Sequence, residues 1–189
     1  SRPDGDDGLA PSDHDLIGSP EARTGLFALV DHHFQWLVLP PRARELPVGL
    51  ATWWIAARFC AERRAMLLVD PPEEWRSLPD ALAGLATWSL RTASAALWFP
   101  WIDAPDPLRG SSARFPPSGA VAGLLSRHEG QNPPWQEASM ALVLPPLRAD
   151  YRLSFPVSPA ARARLGALGV NVPSVVRVPR GQCPPQVTL

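Results

Sequence analysis

The chain has 189 residues, enough for one sizeable core and at most two small domains. With 46% apolar and 19% charged residues, its composition is that of an ordinary globular protein. The 18 basic and 18 acidic residues cancel, so nothing in the charge argues for nucleic acid or an anionic membrane surface as the main partner.

The prolines and cysteines indicate where the structural elements end and whether disulfides hold the fold together. Many of the 24 prolines fall in pairs, and each pair fixes backbone angles and removes amide donors, so the pairs are predicted to lie between elements. The pairs include Pro40-Pro41, Pro71-Pro72, Pro116-Pro117, Pro133-Pro134 and Pro145-Pro146. The two cysteines, Cys60 and Cys183, are too few for a disulfide framework. The sequence contains no run of 18 apolar residues, so no membrane span is predicted.

The N-terminal third is predicted to contain a lead-in, a strand and a helix. Residues 1–25 are rich in Asp, Gly, Ser and Pro and predict an irregular lead-in, followed by one α/β domain over 26–189. Residues 35–39 predict a buried strand, and 47–63 predict a helix that begins near Pro47. Its apolar stripe is predicted from i, i+3, i+4, i+7 and i+11 spacing: Leu50, Trp53, Trp54, Ala57 and Ala61.

The middle of the chain alternates between strand and helix patterns. The short apolar run 65–69 predicts a strand covered on both faces, as in a parallel sheet, and 95–99 predicts another. Residues 77–91 predict a helix that Ser77 caps, with Asp80 favourably placed in the first turn. Residues 118–128 predict a helix capped by Ser118, whose inward side chains are Val121, Leu124 and Leu125.

The C-terminal part continues the alternation. A strand is predicted at 140–144, a helix begins at Ser158-Pro159 and ends at Gly169 as a left-handed stop, and 175–178 is a final strand candidate. Strands that alternate with helices predict an α/β fold, with a mostly parallel sheet and helices on both of its faces.

Candidate catalytic and metal chemistry is weak. His32 and His33 are adjacent, so on a strand they point to opposite faces and do not readily share a metal ion. Asp70 follows a strand, where open α/β sheets hold catalytic groups, but it can equally end the strand and accept local amide bonds before the proline. A triad of Asp70, Ser118 and His128 lacks the Gly-x-Ser-x-Gly turn that holds a serine nucleophile.

Two tryptophans lie in predicted proline-rich loops. Trp101 follows Pro100, and Trp135 follows Pro134. Aromatic and Arg side chains dominate interface hot spots, so these residues either anchor a partner or fold back over the protein's own sheet edge. The residues predicted to contact other subunits are all expected in loops: Trp101, Asp106, Arg109, Trp135 and Arg148.

Ordered motifs along nearly the whole chain resemble one family, the contractile tail sheath proteins of phages and related injection machines. Residues 96–101, which end in Phe99-Pro100-Trp101, are similar to the family's Tyr/Phe-Pro-Trp corner, and residues 116–123 are similar to its Pro-Pro-Ser-Gly-x-x-Ala-Gly helix start. Further similar segments are 13–18, 25–29, 35–40, 60–72, 134–138 and 168–171.

The resemblance implies a subtilisin-like sheath core that is a structural protein and not an enzyme, without a cofactor or metal. Many copies polymerise as a helical homo-oligomer around an inner tube and contract to drive the tube through a target envelope. The implied partners are other sheath subunits, the inner tube protein, and baseplate and terminator components, with no nucleic acid and no membrane. Assembly is expected in the bacterial cytoplasm, in a virion tail or contractile injection particle.

The chain also departs from the family pattern. The N-terminal arm and the segments after the Gly-Val-Asn region are missing, so the chain is either a core fragment or a shortened relative with its terminal arms missing. Family arms exchange strands between neighbouring subunits. A shortened chain without these arms suggests the first alternative, a sheath-like cap or adaptor component. A separate alternative is an α/β hydrolase-like enzyme that uses Asp70, Ser118 or His128.

Overall fold

The computed structural model describes residues 11–41, 46–131, 147 and 151–173. The helices are α1 (Asp13–Ile17), α2 (Leu50–Arg63), α3 (Leu78–Thr87), α4 (Ser118–Gln131) and α5 (Pro159–Ala167), with a 3₁₀ helix at Gly25–Leu29. The strands are β1 (Trp36–Val38), β2 (Met66–Val69), β3 (Ala95–Trp98), β4 (Ile102–Asp106), β5 (Ser111–Phe115), β6 (Arg152–Leu153) and β7 (Val170–Asn171). The predictions that fall outside the described residues are the strands at 140–144 and 175–178 and the contact residues Trp135 and Arg148.

A four-stranded parallel sheet forms the centre of the molecule. Its strand order is β1-β2-β3-β7, and every neighbouring pair runs parallel. One face, which carries Leu67 and Leu97, packs against side chains of α2, α3 and α5. The other face, which carries Leu68 and Trp98, packs against α4. The predicted α/β class, with a parallel sheet and helices on both faces, is confirmed at this level.

All four parallel strands end at a proline. In each case the proline is the second residue after the last strand residue: Pro40 after β1, Pro71 after β2, Pro100 after β3 and Pro173 after β7. Because proline has no amide hydrogen and fixes φ, the hydrogen-bonded ladder does not continue through it. At the carboxyl edge of the sheet, each strand is therefore followed by a segment in which proline restricts the backbone.

A second, antiparallel sheet was not predicted. Its strand order is β5-β4-β6, and β4 and β5 form a hairpin in which Ile102 pairs with Phe115 at the base and Asp106 pairs with Ser111 at the tip. The prediction that Asp106 lies in a loop is therefore wrong, since this residue ends β4, whereas Arg109 does lie in the turn. Helix α4 lies between the two sheets: Leu125 faces the parallel sheet, and Leu124 packs against Ile102 of the hairpin.

The predicted inward face of α2 is partly wrong. Trp53 and Ala57 are buried as predicted, but Leu50 and Trp54 are 41% and 42% exposed, and Ala61 is also exposed. The residues that α2 buries are Thr52, Trp53, Ala56, Ala57, Phe59 and Cys60. The first turns of α2 are apolar on every side, so spacing alone did not distinguish the two stripes.

Helices α3 and α5 begin at their predicted caps. Ser77 caps α3, because its hydroxyl accepts a hydrogen bond from the Asp80 amide. The helix ends at Thr87, four residues before the predicted end. Helix α5 is capped by Ser158 and followed by Gly169 with φ of 81°, which confirms both predicted signals.

The lead-in predicted as irregular contains a capped helix. In α1, Ser12 and Asp15 form a capping box in which each side chain bonds the other's backbone amide. The carboxylate of Asp13 accepts a hydrogen bond of 3.0 Å from the Gly49 amide at the start of α2, and Leu16 packs against the main core. Residues 13–17 are therefore anchored to the domain that the prediction began at residue 26.

Candidate functional site

A cavity of about 140 Å³ opens at the carboxyl edge of the parallel sheet. The segments that follow β1, β2 and β3 supply its wall, together with the start of α2. Its lining is mostly apolar and includes Leu39, Val48, Leu50, Trp53 and Trp101. This edge is where open α/β sheets bind their ligands, so it is the natural place to look for chemistry.

Asp70 is the buried charged group at this edge. It follows β2, lines the cavity and is 9% exposed. Its Oδ1 accepts a hydrogen bond of 2.8 Å from the Ser118 amide, and its Oδ2 accepts one of 2.6 Å from the Ser118 hydroxyl. Asp70 therefore joins the end of β2 to the start of α4, and the prediction that it bonds local amides before Pro71 is wrong.

The predicted capping role of Ser118 is also wrong. Ser118 is the first residue of α4, and the Pro117 carbonyl before it already accepts from the Val121 amide. The hydroxyl of Ser118 donates to Asp70, and the same carboxylate accepts from the Ser118 amide, which is one of the orphan amides at the helix start. A negative charge at a helix N-terminus is also favoured by the helix dipole.

Burial controls the protonation of Asp70. Removal from water raises the pKa of its carboxyl group from the ordinary value of 3.8 to about 6, and the two hydrogen bonds from Ser118 act in the opposite direction and limit the rise. The carboxyl group thus titrates in a range where a general acid or base could work. Whether the Asp70 carboxyl group can act in this way depends on which catalytic groups lie beside it.

The structure brings together two members of the triad considered above and separates the third. Asp70 contacts Ser118 directly, with no room for an imidazole between the two oxygens. His128 lies ten residues further along the same helix, which is about 15 Å of axial rise. Ser118 is also 1% exposed. A hydrolase triad needs a histidine beside an accessible serine, and neither the helical separation of the two residues nor the burial of Ser118 suits that arrangement.

Trp101 folds back over the sheet edge. Its indole Nε1 donates a hydrogen bond of 2.9 Å to the Pro71 carbonyl, and its own carbonyl accepts one of 2.9 Å from the Ser154 amide. The side chain is only 6% exposed. Trp101 lies in the loop between β3 and β4 as predicted, and of the two alternatives for this residue the structure supports the one in which it covers its own sheet edge.

Acidic residues lie at the mouth of the cavity, but they do not form a metal site. Glu73 and Glu74 line it, and Glu73 also pairs with Arg76 at 3.4 Å. Within the part of the chain that the structure describes, no three His, Cys, Asp or Glu side chains are grouped so as to hold a metal ion. Both His32 and His33 are exposed. None of the described helices is long and apolar enough to cross a membrane.

The hairpin tip carries a residue that the sequence reasoning missed. Leu108, between the predicted contact residues Asp106 and Arg109, is 96% exposed. The signal was available, because Leu108 lies inside an Asp-Pro-x-x-Gly sequence that predicts a turn, and turns lie at the surface. The structure does not bring Asp106 and Arg109 near Trp101, which lies beyond the opposite end of β4.

Comparisons with models of protein families and with curated proteins found no match to this chain.

Proposed function

We propose that this chain is a structural subunit of a contractile tail sheath, which polymerises around an inner tube and contracts to drive the tube through a target envelope. One observation carries the proposal. Three segments that resemble the family, residues 60–72, 96–101 and 116–123, converge on one junction, where Asp70 binds Ser118 and Pro71 accepts from Trp101.

The chemistry of this junction favours a mechanical role over a catalytic one. Its polar groups satisfy one another, and the Ser118 hydroxyl is buried against Asp70. What the contacts achieve is to fix the relative positions of the parallel sheet, the hairpin and α4. A subunit that shifts as a rigid body during contraction needs such a joint, because a loose one would absorb the displacement.

The proposed partners follow from the architecture of a sheath. Other copies of the chain form a helical homo-oligomer through heterologous contacts that do not close into a ring. The inner tube protein lies inside this polymer, and baseplate and terminator components bind its two ends. We propose assembly in the bacterial cytoplasm and a final location in a virion tail or contractile injection particle.

Negative-stain microscopy of the full-length gene product, co-expressed with the neighbouring tube gene, tests the proposal. We expect tubes covered along their length by a regular sheath. A field that contains only monodisperse particles would argue against it. Particles bound only at tube ends would favour the cap or adaptor role instead. The tube protein expressed alone is the control, because it shows which features belong to the sheath.

A further inference from the structure

The turn between β4 and β5 presents one apolar side chain on a rigid support. The Asp106 Oδ1 accepts hydrogen bonds from the amides of Leu108 and Arg109, at 3.0 and 3.4 Å. The Asp106 carbonyl accepts a further one of 2.9 Å from Gly110, whose φ of 63° suits glycine. Leu108 is thus held in place while 96% exposed, and a pre-organised residue loses little backbone entropy on binding.

The cavity at the carboxyl edge of the parallel sheet is complementary to this turn. Its floor is apolar, with Leu39, Val48 and Trp53 buried there, and its volume is about 140 Å³. A hollow of about 150 Å³ takes a benzene-sized apolar group, so an isobutyl side chain fits. Glu73 and Glu74 line the cavity, and because Glu73 is already paired with Arg76 at 3.4 Å, Glu74 supplies the negative charge opposite in sign to that of Arg109, which follows Leu108.

The turn does not reach the cavity of its own chain. Trp101 and Pro116, which line the cavity, flank the hairpin at its base, where Ile102 pairs with Phe115. The tip pair, Asp106 with Ser111, is four residue pairs further along, or about 14 Å from the base at strand rise. If this turn fills such a cavity, the cavity therefore belongs to another molecule.

We propose that Leu108 of one copy inserts into the carboxyl-edge cavity of a second copy, where Arg109 faces Glu73 and Glu74. The two surfaces lie on different parts of the chain, so the contact is heterologous and leaves a free turn and a free cavity at the two ends of any row. This inference rests on the proposed sheath function and names one of the subunit contacts that such a polymer uses. The ion pair of Arg109 with Asp106 is long, at 3.8 Å, and the Arg109 side chain is 69% exposed, so redirecting Arg109 costs little.

Disulfide trapping between two differently labelled full-length chains tests the contact. One chain carries Leu108→Cys and the other Leu50→Cys, at an exposed residue of the cavity wall, both with Cys183→Ser. Cys60 stays, because it is buried and its pKa is raised to about 12, which keeps it unreactive. Under mild oxidation we expect the mixture to give several times more cross-linked dimer than either chain alone.

A matched control replaces Leu50→Cys by Val30→Cys, which is similarly exposed, at 43%, but does not line the cavity. Equal dimer yields from the two mixtures, or equal yields from the Leu108→Cys chain by itself, would overturn the contact. The experiment needs no tube. Absent sheaths in the microscope together with a specific cross-link would therefore reject the proposed function alone, and sheaths without the cross-link would reject this contact alone.

The charge complementarity has a separate test in the same chains. Arg109→Glu in the Leu108→Cys chain is expected to lower the cross-link yield by about two- to fivefold, the effect of losing one exposed ion pair. Adding Glu74→Arg to the Leu50→Cys chain should restore it, while Glu74→Arg against the unchanged Arg109 should lower it. If the two charge reversals together give no recovery, Arg109 does not face this mouth.

Discussion

At the scale of single residues, Asp70 is a buried carboxyl group whose pKa is raised by removal from water. Its two hydrogen bonds from Ser118 hold it at the carboxyl edge of the sheet, the position where an enzyme would place a catalytic acid. Burial raises its pKa to about 6, above the ordinary value of 3.8. The folded protein therefore binds this proton more tightly than the unfolded chain does.

Asp70→Asn is expected to flatten part of the pH dependence of stability. Because the folded pKa is raised, the stability that Asp70 contributes is fully present below pH 3.8 and is lost as the pH rises through about 6. Asparagine cannot ionise, but its amide can still accept from the Ser118 amide and donate to the Ser118 hydroxyl. Urea unfolding of both proteins across this window measures the effect, and parallel curves would contradict it.

Ser118→Ala is expected to cost about 1.5–3 kcal/mol of the free energy of unfolding, because a buried hydrogen bond to a carboxyl group is lost. It should also raise the pKa of Asp70 further, since the bond from Ser118 lowers it. Ser126→Ala, on the exposed side of the same helix, is the control, expected to stay within about 0.5 kcal/mol. If both variants lost similar amounts of unfolding free energy, the loss in Ser118→Ala could not be attributed to its hydrogen bond with Asp70.

At the scale of elements, substituting alanine for each of two helical glycines is expected to change the stability of the protein in opposite directions. Gly84 in α3 lies against the Trp75 indole, and a Cβ there would be 2.2 Å from ring atoms. The ring is held edge-on between Trp88 and Phe99, at centroid distances of 5.6 and 6.4 Å, so it has little freedom to move away. A Cβ on Gly123 in α4 would meet nothing within 4 Å.

Gly84→Ala is therefore expected to destabilise the protein by about 1–3 kcal/mol through overpacking. Gly123→Ala should stabilise it by up to about 1 kcal/mol, because alanine favours the helix and has no steric conflict there. Urea unfolding midpoints compare the two variants with the parent chain. If both substitutions stabilised the protein, the close approach of α3 to Trp75 would be refuted.

Sequence reasoning was accurate for several elements that a local signal determines, although it missed the local capping box of α1. The continuous apolar runs of β2 and β3, the cap of α3 and the left-handed Gly169 each depend on a few neighbouring residues. It failed where the partner was distant. Strands β4 and β5 have little apolar alternation and are strands because they pair with each other, and the facing of α2 depends on which side the sheet covers.

The candidate site was predictable in its members but not in its geometry. Asp70 and Ser118 were both singled out from their local context, yet they lie 48 residues apart and their direct contact is a product of the fold. The hydrophobic Leu108 was overlooked because its neighbours carry the charges that first suggest a contact surface. The inward placement of Trp101 likewise depended on the Pro71 carbonyl, which no periodicity reveals.

At the scale of the whole molecule, two sheets share one helix and one corner. Helix α4 packs on the parallel sheet through Val121 and Leu125, and on the hairpin side through Leu124. The corner at Trp101 adds hydrogen bonds to Pro71 on one side and from Ser154 on the other. If neighbouring subunits exert force on the hairpin tip, the force reaches the parallel sheet through these two connections.

Trp101→Phe tests whether the corner couples the two sheets. Phenylalanine keeps an aromatic ring over the sheet edge but cannot donate to the Pro71 carbonyl, which costs about 1 kcal/mol. That loss should appear as faster hydrogen exchange of β4 amides, by about fivefold, with little change in β2, because opening of the hairpin becomes easier than opening of the core.

The matched control is Trp54→Phe, which changes an exposed ring on α2 and should leave both sets of exchange rates unchanged. Equal acceleration of β4 and β2 in Trp101→Phe would mean that the two sheets open only together. The corner would then contribute to global stability but would not act as a separable joint. Faster exchange confined to β4 would locate the coupling in one indole hydrogen bond, whose removal should also loosen any assembly that depends on the position of the hairpin tip.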